Sequence, residues 1–201
     1  MAKLAGLTTH GLSNIPEYLA SIGRVFYTAD ADQNDGVVGQ TSFADTTPTF
    51  LIDVPLGQTV IPLMVNLFQV GTVAGGAISV IVEIDNADRY NTGGTSETTL
   101  CSLTTGGDLG GTLPTGLGVY SNPTANAGYG VRIDSALMAQ DTDPAVTESA
   151  QRRYLWTPQA GLDYIVGPGA FVVYTYAATT GPTWWWNLKF AVIPSDWVGT
   201  A

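Results

Sequence analysis

The sequence predicts an all-β fold: an antiparallel jelly-roll sandwich of about eight strands, preceded by an extended N-terminal arm and a short helix. Three observations carry that expectation. Charged residues make up only 12% of the 201, while glycine reaches 24 and proline 11. The gaps between apolar runs are therefore filled by turn formers rather than by the Lys and Glu of a helical bundle. Residues 77–85 (AISVIVEID) put Ile78, Val80, Val82 and Ile84 on one face and Ser79, Ile81, Glu83 and Asp85 on the other, the period-two pattern of a half-buried strand. Two further apolar runs, 170–177 (AFVVYTYA) and 184–193, flank the turn at Thr180-Gly181-Pro182 and read as a hairpin. With no crossover helices between the strands, the expected sheets are antiparallel.

Taken in order, residues 1–15 read as the arm. A short helix follows, with Asn14 as its cap, Pro16 in the first turn and Glu17 at the positive end of the dipole, and ends near Gly23. The arm and helix occupy 1–23, and residues 24–201 form one sandwich domain, a length that buries a full core without disulfides or metals. Residues 24–29 (RVFYTA) open it, followed by a polar loop and a short VVGQTSF segment. Residues 50–54 (FLIDV) stop at Pro55-Leu56-Gly57, and the long run 59–70 contains Pro62, which places it at an edge or a bulge because proline cannot donate to the ladder. A Gly75-Gly76 turn precedes 77–85, and TSETTLCSLT at 95–104 reads as one more strand. Residues 106–130 read as a long loop, with strands resuming at 130–134 and 153–156.

The last strand contains Trp184-Trp185-Trp186, three of the five tryptophans. Trp184, Trp186, Leu188, Phe190 and Val192 make one core stripe, while Trp185, Asn187, Lys189, Ala191 and Ile193 point the other way. Large apolar groups on both faces require a cover for the second one. Three covers are open: the arm or the 106–130 loop, another subunit, or a ligand stacked on aromatic rings. The reading taken is a subunit interface built from Trp184, Trp185, Trp186, Trp197, Tyr174 and Tyr176.

The charge pattern excludes other classes. Seven basic against seventeen acidic residues give a net charge of -10, so nucleic-acid binding and attraction to an anionic membrane are not expected. No apolar run has the length of a signal peptide or a membrane-spanning helix, and the expected site of synthesis is a cytoplasm. Cys101 is alone, and His10, in the arm, is the single histidine. Cys101 thus reads as a small strand residue, and a serine or cysteine triad finds no base. Asp30, Asp32 and Asn34 share the alternating spacing of a calcium loop, but Asp35 stands where its glycine belongs and Thr41 where its glutamate belongs. No metal, cofactor or catalytic residue is expected.

The stretches VPLGQTVIPLMVNLFQVG (54–71) and GPGAFVVYTYAATTGPTWWWNLKFAVIP (167–194), with the alternating strand and the Gly/Asn/Thr loop between them, resemble jelly-roll virion proteins of tailed bacteriophages. The resemblance implies an eight-stranded double sheet, assembled as a trimer or on a capsid lattice. It implies a non-enzymatic virion component (a decoration, vertex or minor capsid protein) whose partners are its own copies and other virion proteins. The alternative expectation is a carbohydrate- or receptor-binding jelly-roll module of a tail fibre.

Overall fold

A computed structural model describes residues 15–30, 36–70, 77–103, 105, 107–138, 153–159 and 161–198. Residues 1–14 of the expected arm, among them the helix cap Asn14, and Asp32 and Asn34 lie outside them, while Ile15 opens the helix. The order begins with helix α1 (Ile15–Ser21), β1 (Val25–Ala29), β2 (Val37–Val38), β3 (Phe50–Val54), β4 (Gln58–Val70) and β5 (Ile78–Asp85). It continues with β6 (Tyr90–Thr92), β7 (Thr95–Ser96), β8 (Thr99–Cys101), β9 (Gly118–Ser121), β10 (Thr124–Ala125) and β11 (Val131–Met138). The chain closes with β12 (Arg153–Trp156), β13 (Ile165–Val166), β14 (Gly169–Ala177) and β15 (Thr183–Pro194).

These strands form an all-β sandwich with antiparallel ladders. One sheet runs β12-β4-β15-β1-β8, with β13 also on β4 and β2 also on β15; the other runs β11-β5-β14-β3-β9-β7. The inward halves of the alternating strands meet between them. Trp184, Trp186, Leu188, Phe190 and Val192 of β15 pack with Phe50 and Ile52 of β3, Val80 and Val82 of β5, and Phe171 and Val173 of β14. Trp184 and Trp186 are among the largest fully buried side chains. Each buried aromatic of this size removes roughly 150–250 Å² from water, gross stabilisation of about 4–6 kcal/mol.

Both sheets also carry a cover on the outside. Outside the first, Leu19 of α1 packs with Val25, Ile61, Leu63, Ala191 and Ile193, and Trp197 leans on the same cluster. Outside the second, Leu51, Ile81, Ala125, Ala170, Val172 and Tyr174 are covered by Phe43, Tyr90, Tyr120 and Tyr176.

Two local expectations change, and a third holds. Residues 106–130 are not one loop: β9 pairs with β3, and β10 with β6. The buried positions Val119 and Ser121 alternate with half-exposed Gly118 and Tyr120 over only four residues, a pattern too short to stand out among prolines and glycines. TSETTLCSLT divides between the two sheets, β7 pairing β9 and β8 pairing β1. Pro62 sits at a bulge, one of the two places expected for it. The β4–β15 register jumps from Lys189↔Met64 to Phe190↔Pro62, an interruption of the regular ladder of the kind where a residue without an N–H donor is tolerated.

Candidate functional site

The outward half of the first sheet is the candidate contact surface. Alternation along β15 turns Trp185, Asn187 and Lys189 away from the core, and the register sets Phe68, Asn66 and Met64 of β4 opposite them. β12 continues the rows with Arg153 opposite Phe68 and Leu155 opposite Asn66. On the other side Tyr27 lies opposite Lys189, Ala29 opposite Asn187, and Leu100 of β8 opposite Tyr27. Five strands at their usual spacing make a face about 20 Å across. Leu100, Leu155, Phe68 and Tyr27 are 69%, 49%, 43% and 39% exposed, an apolar content of the kind that marks interaction surfaces.

The polar groups of this face are basic or neutral. The Lys189 ammonium lies 5.0 Å from the centre of the Tyr27 ring, a cation–π contact, and Arg153 Nε donates to Asn66 Oδ1 at 2.7 Å. No acidic residue falls in these rows, although the chain carries -10 overall. Beneath the surface, Trp185 Nε1 and Asn187 Oδ1 are buried without a hydrogen-bond partner among the described residues, a cost of about 1–3 kcal/mol for each such group.

The six residues assigned to an interface from the sequence do not form one surface, and three are corrected. Trp184 is buried in the core, its Nε1 donating to Thr175 Oγ1 at 2.8 Å. Trp186 is buried against Phe50, ring centres 4.5 Å apart. Tyr174 is buried under Phe43 at 5.1 Å. Burial within the chain leaves these three no surface to offer a second subunit. Tyr176 is partly buried beside Phe43, outside the second sheet. Trp197 is partly buried near the helix, with the Arg24 guanidinium 4.6 Å from its ring centre. Of the six, Trp185 alone belongs to the outer face of the first sheet. Its neighbours Phe68, Tyr27, Leu100 and Leu155 went unread because they join it through strand register, which no local pattern encodes.

A polar cluster lies outside the second sheet. Arg89 is 2% exposed. It donates to Asp85 Oδ2 at 2.8 Å, to the carbonyl oxygens of Asn126 and Asp45 at 2.9 and 2.8 Å, and to the Tyr174 hydroxyl at 3.2 Å. That hydroxyl donates in turn to the Asp45 carbonyl at 2.9 Å, and burial pushes it up to about 12. One guanidinium thus ties three loops to β14. Nearby, Tyr90 and Tyr120 stack with ring centres 4.0 Å apart. Among the described residues no group of three His, Cys, Asp or Glu side chains is placed to hold a metal ion. Cys101 is half-buried on β8, its Sγ 3.4 Å from the Gly23 carbonyl oxygen. No helix among the described residues is long and apolar enough to cross a membrane.

Half-buried Asp53 is pushed up to about 6, first by its burial, then by the charge of Asp88 and by the hydrogen bond that the two carboxyls share. A carboxyl raised in the folded state contributes stability that is present below its unfolded value near 3.8 and is lost as pH rises through about 6. Asp53→Asn is therefore expected to flatten the stability profile between those two values and to raise stability at neutral pH. Discounted for solvent screening, the gain is about 1 kcal/mol, measured as urea midpoints across that window.

Comparison with known protein families, with curated proteins and with solved structures returned no match. Fold and site together define a class: an all-β sandwich that presents an apolar, weakly basic sheet face.

Proposed function

We propose that the chain is a jelly-roll structural subunit of a virus particle, a decoration, vertex or minor capsid protein of a tailed phage, acting without catalysis. The outer face of the first sheet is its contact with further copies, in a trimer or a larger closed assembly, and with other virion proteins. The observation that carries the reading is that face: Trp185, Phe68, Tyr27, Leu100 and Leu155 with Lys189 and Arg153 among them.

The strand pairing supports the jelly-roll term. Eight of the strands, β1, β3, β4, β5, β11, β12, β14 and β15, form four nested pairs: β1 with β15, β3 with β14, β4 with β12 and β5 with β11. The ribbon so formed is rolled until β15 also lies on β4 and β14 on β5. Such nesting is expected of a double-sheet jelly roll, an architecture used by viral capsid and lectin domains, and supports that reading. Because a fold alone does not fix a function, the weight rests on the exposed face.

Charge supports self-association. The face carries cations while the chain as a whole is acidic, so it complements the remaining surface of another copy better than it complements itself, and head-to-tail contacts around an axis follow.

Light scattering on a sizing column at two protein concentrations tests the proposal. Three or more copies at both concentrations is the expected result, and a monomer at both overturns it.

A further inference from the structure

We propose that the end of the sandwich where β5, β11 and β13 meet is a binding cleft for a neutral saccharide, independent of the assembly face. A cleft of about 340 Å³ opens there, lined by Tyr129, Tyr164, Asp85, Asn86, Gly130 and Val131 among others. Its volume lies within the range of small-molecule sites. Tyr129 is 78% exposed and Tyr164 41%. Both tyrosines line a concave site instead of standing singly on a convex surface.

The walls are built from anchored backbone. Gly130 lets the segment that carries Tyr129 into β11 close against the end of β5, where a Cβ would collide with the Ile84 carbonyl oxygen. Tyr164 precedes β13, which is fastened to β4 through Ile165↔Val60 and Val166↔Thr59. The Asp85 carboxylate accepts from the Ala87 N–H at 3.1 Å and from buried Arg89 at 2.8 Å, and this turn holds exposed Asn86 at the rim. Backbone anchored in advance spares a ligand the cost of ordering the loops that carry the two rings.

Charge and chemistry select the ligand. Among the described lining residues Asp85 is the one charged group, and it is neutralised by Arg89, so the floor offers no net charge to a cation. The acidic chain repels anions. What remains is two amphipathic rings, an amide and backbone polar groups, which suit a ligand with an apolar C–H face and a hydroxyl rim. A pyranose unit has that form.

The test is calorimetric titration of the intact protein with maltohexaose, cellohexaose and tri-N-acetylchitotriose, with sialyllactose as the anionic comparator. At least one neutral oligosaccharide is expected to bind, and sialyllactose to bind more weakly. Tyr129→Ala and Tyr164→Ala should each lower the association constant about tenfold, the worth of one aromatic stack, while Tyr129→Phe retains binding. Exposure of both rings predicts unchanged melting temperatures, so loss of binding is not loss of fold. Absence of neutral-saccharide binding, tighter binding of sialyllactose, or binding indifferent to both alanine variants would each overturn the assignment.

Discussion

Arg89→Met is expected to destabilise the fold by about 3–5 kcal/mol, the cost of removing one partner from a buried ion pair. The guanidinium is nearly inaccessible and holds Asp85, the Asn126 and Asp45 carbonyls and the Tyr174 hydroxyl at once. Its loss strands a buried carboxylate and unties the loops that cover the second sheet. For a chain of this size each kcal/mol moves the melting temperature by roughly 2–4 °C, so a fall of about 10 °C follows. Arg89→Lys should recover little, because one ammonium cannot span four acceptors held in a planar fork. Arg89→Met combined with Asp85→Asn should lose less than Arg89→Met alone, since no unpaired charge is left. Urea midpoints measure all three variants, and a change below about 1 kcal/mol for Arg89→Met would show the pair to be dispensable.

Trp184→Ala and Trp186→Ala are expected to cost a similar amount, about 3–5 kcal/mol each. Trp186 fills the space against Phe50. Trp184 does two things: its ring packs in the core, and its Nε1–H donates to Thr175 Oγ1, which lies 2.9 Å from Thr49 Oγ1. Removing it leaves a cavity and takes one partner from a buried hydroxyl pair. Trp184→Phe keeps most of the volume and loses the bond, so it should fall between the wild type and Trp184→Ala. Thermal melts separate these cases. If either alanine variant melts like the wild type, the core assignment of that residue fails.

How much was legible in the sequence follows from the range of each interaction. The strand at 78–85 and the final hairpin were legible because alternation is local: Val80 and Val82, or Trp184 and Trp186, announce their shared face within a few residues. The outward position of Trp185 was legible for the same reason. The third layer was not. Tyr174 looked like an exposed aromatic because its partners Arg89 and Asp45 stand 85 and 129 residues away, and a single arginine in a polar loop carries no sign that it will be buried. The contact face was half legible: β15 supplied Trp185 and Lys189, whereas Phe68, Tyr27, Leu100 and Leu155 arrive by pairing across β4, β1, β8 and β12. The division of 95–104 between two sheets had no local signal, since β7 and β8 are only two and three residues long.

The central claim is that the outer face of the first sheet joins copies of the chain. The most direct measurement is the native mass of Trp185→Ser combined with Phe68→Ser, by light scattering, beside the melting temperature of the same protein held at a concentration where the wild type is dissociated. The account predicts a monomer that melts with the dissociated wild type. An assembly of unchanged mass would contradict it, and so would a variant that no longer folds.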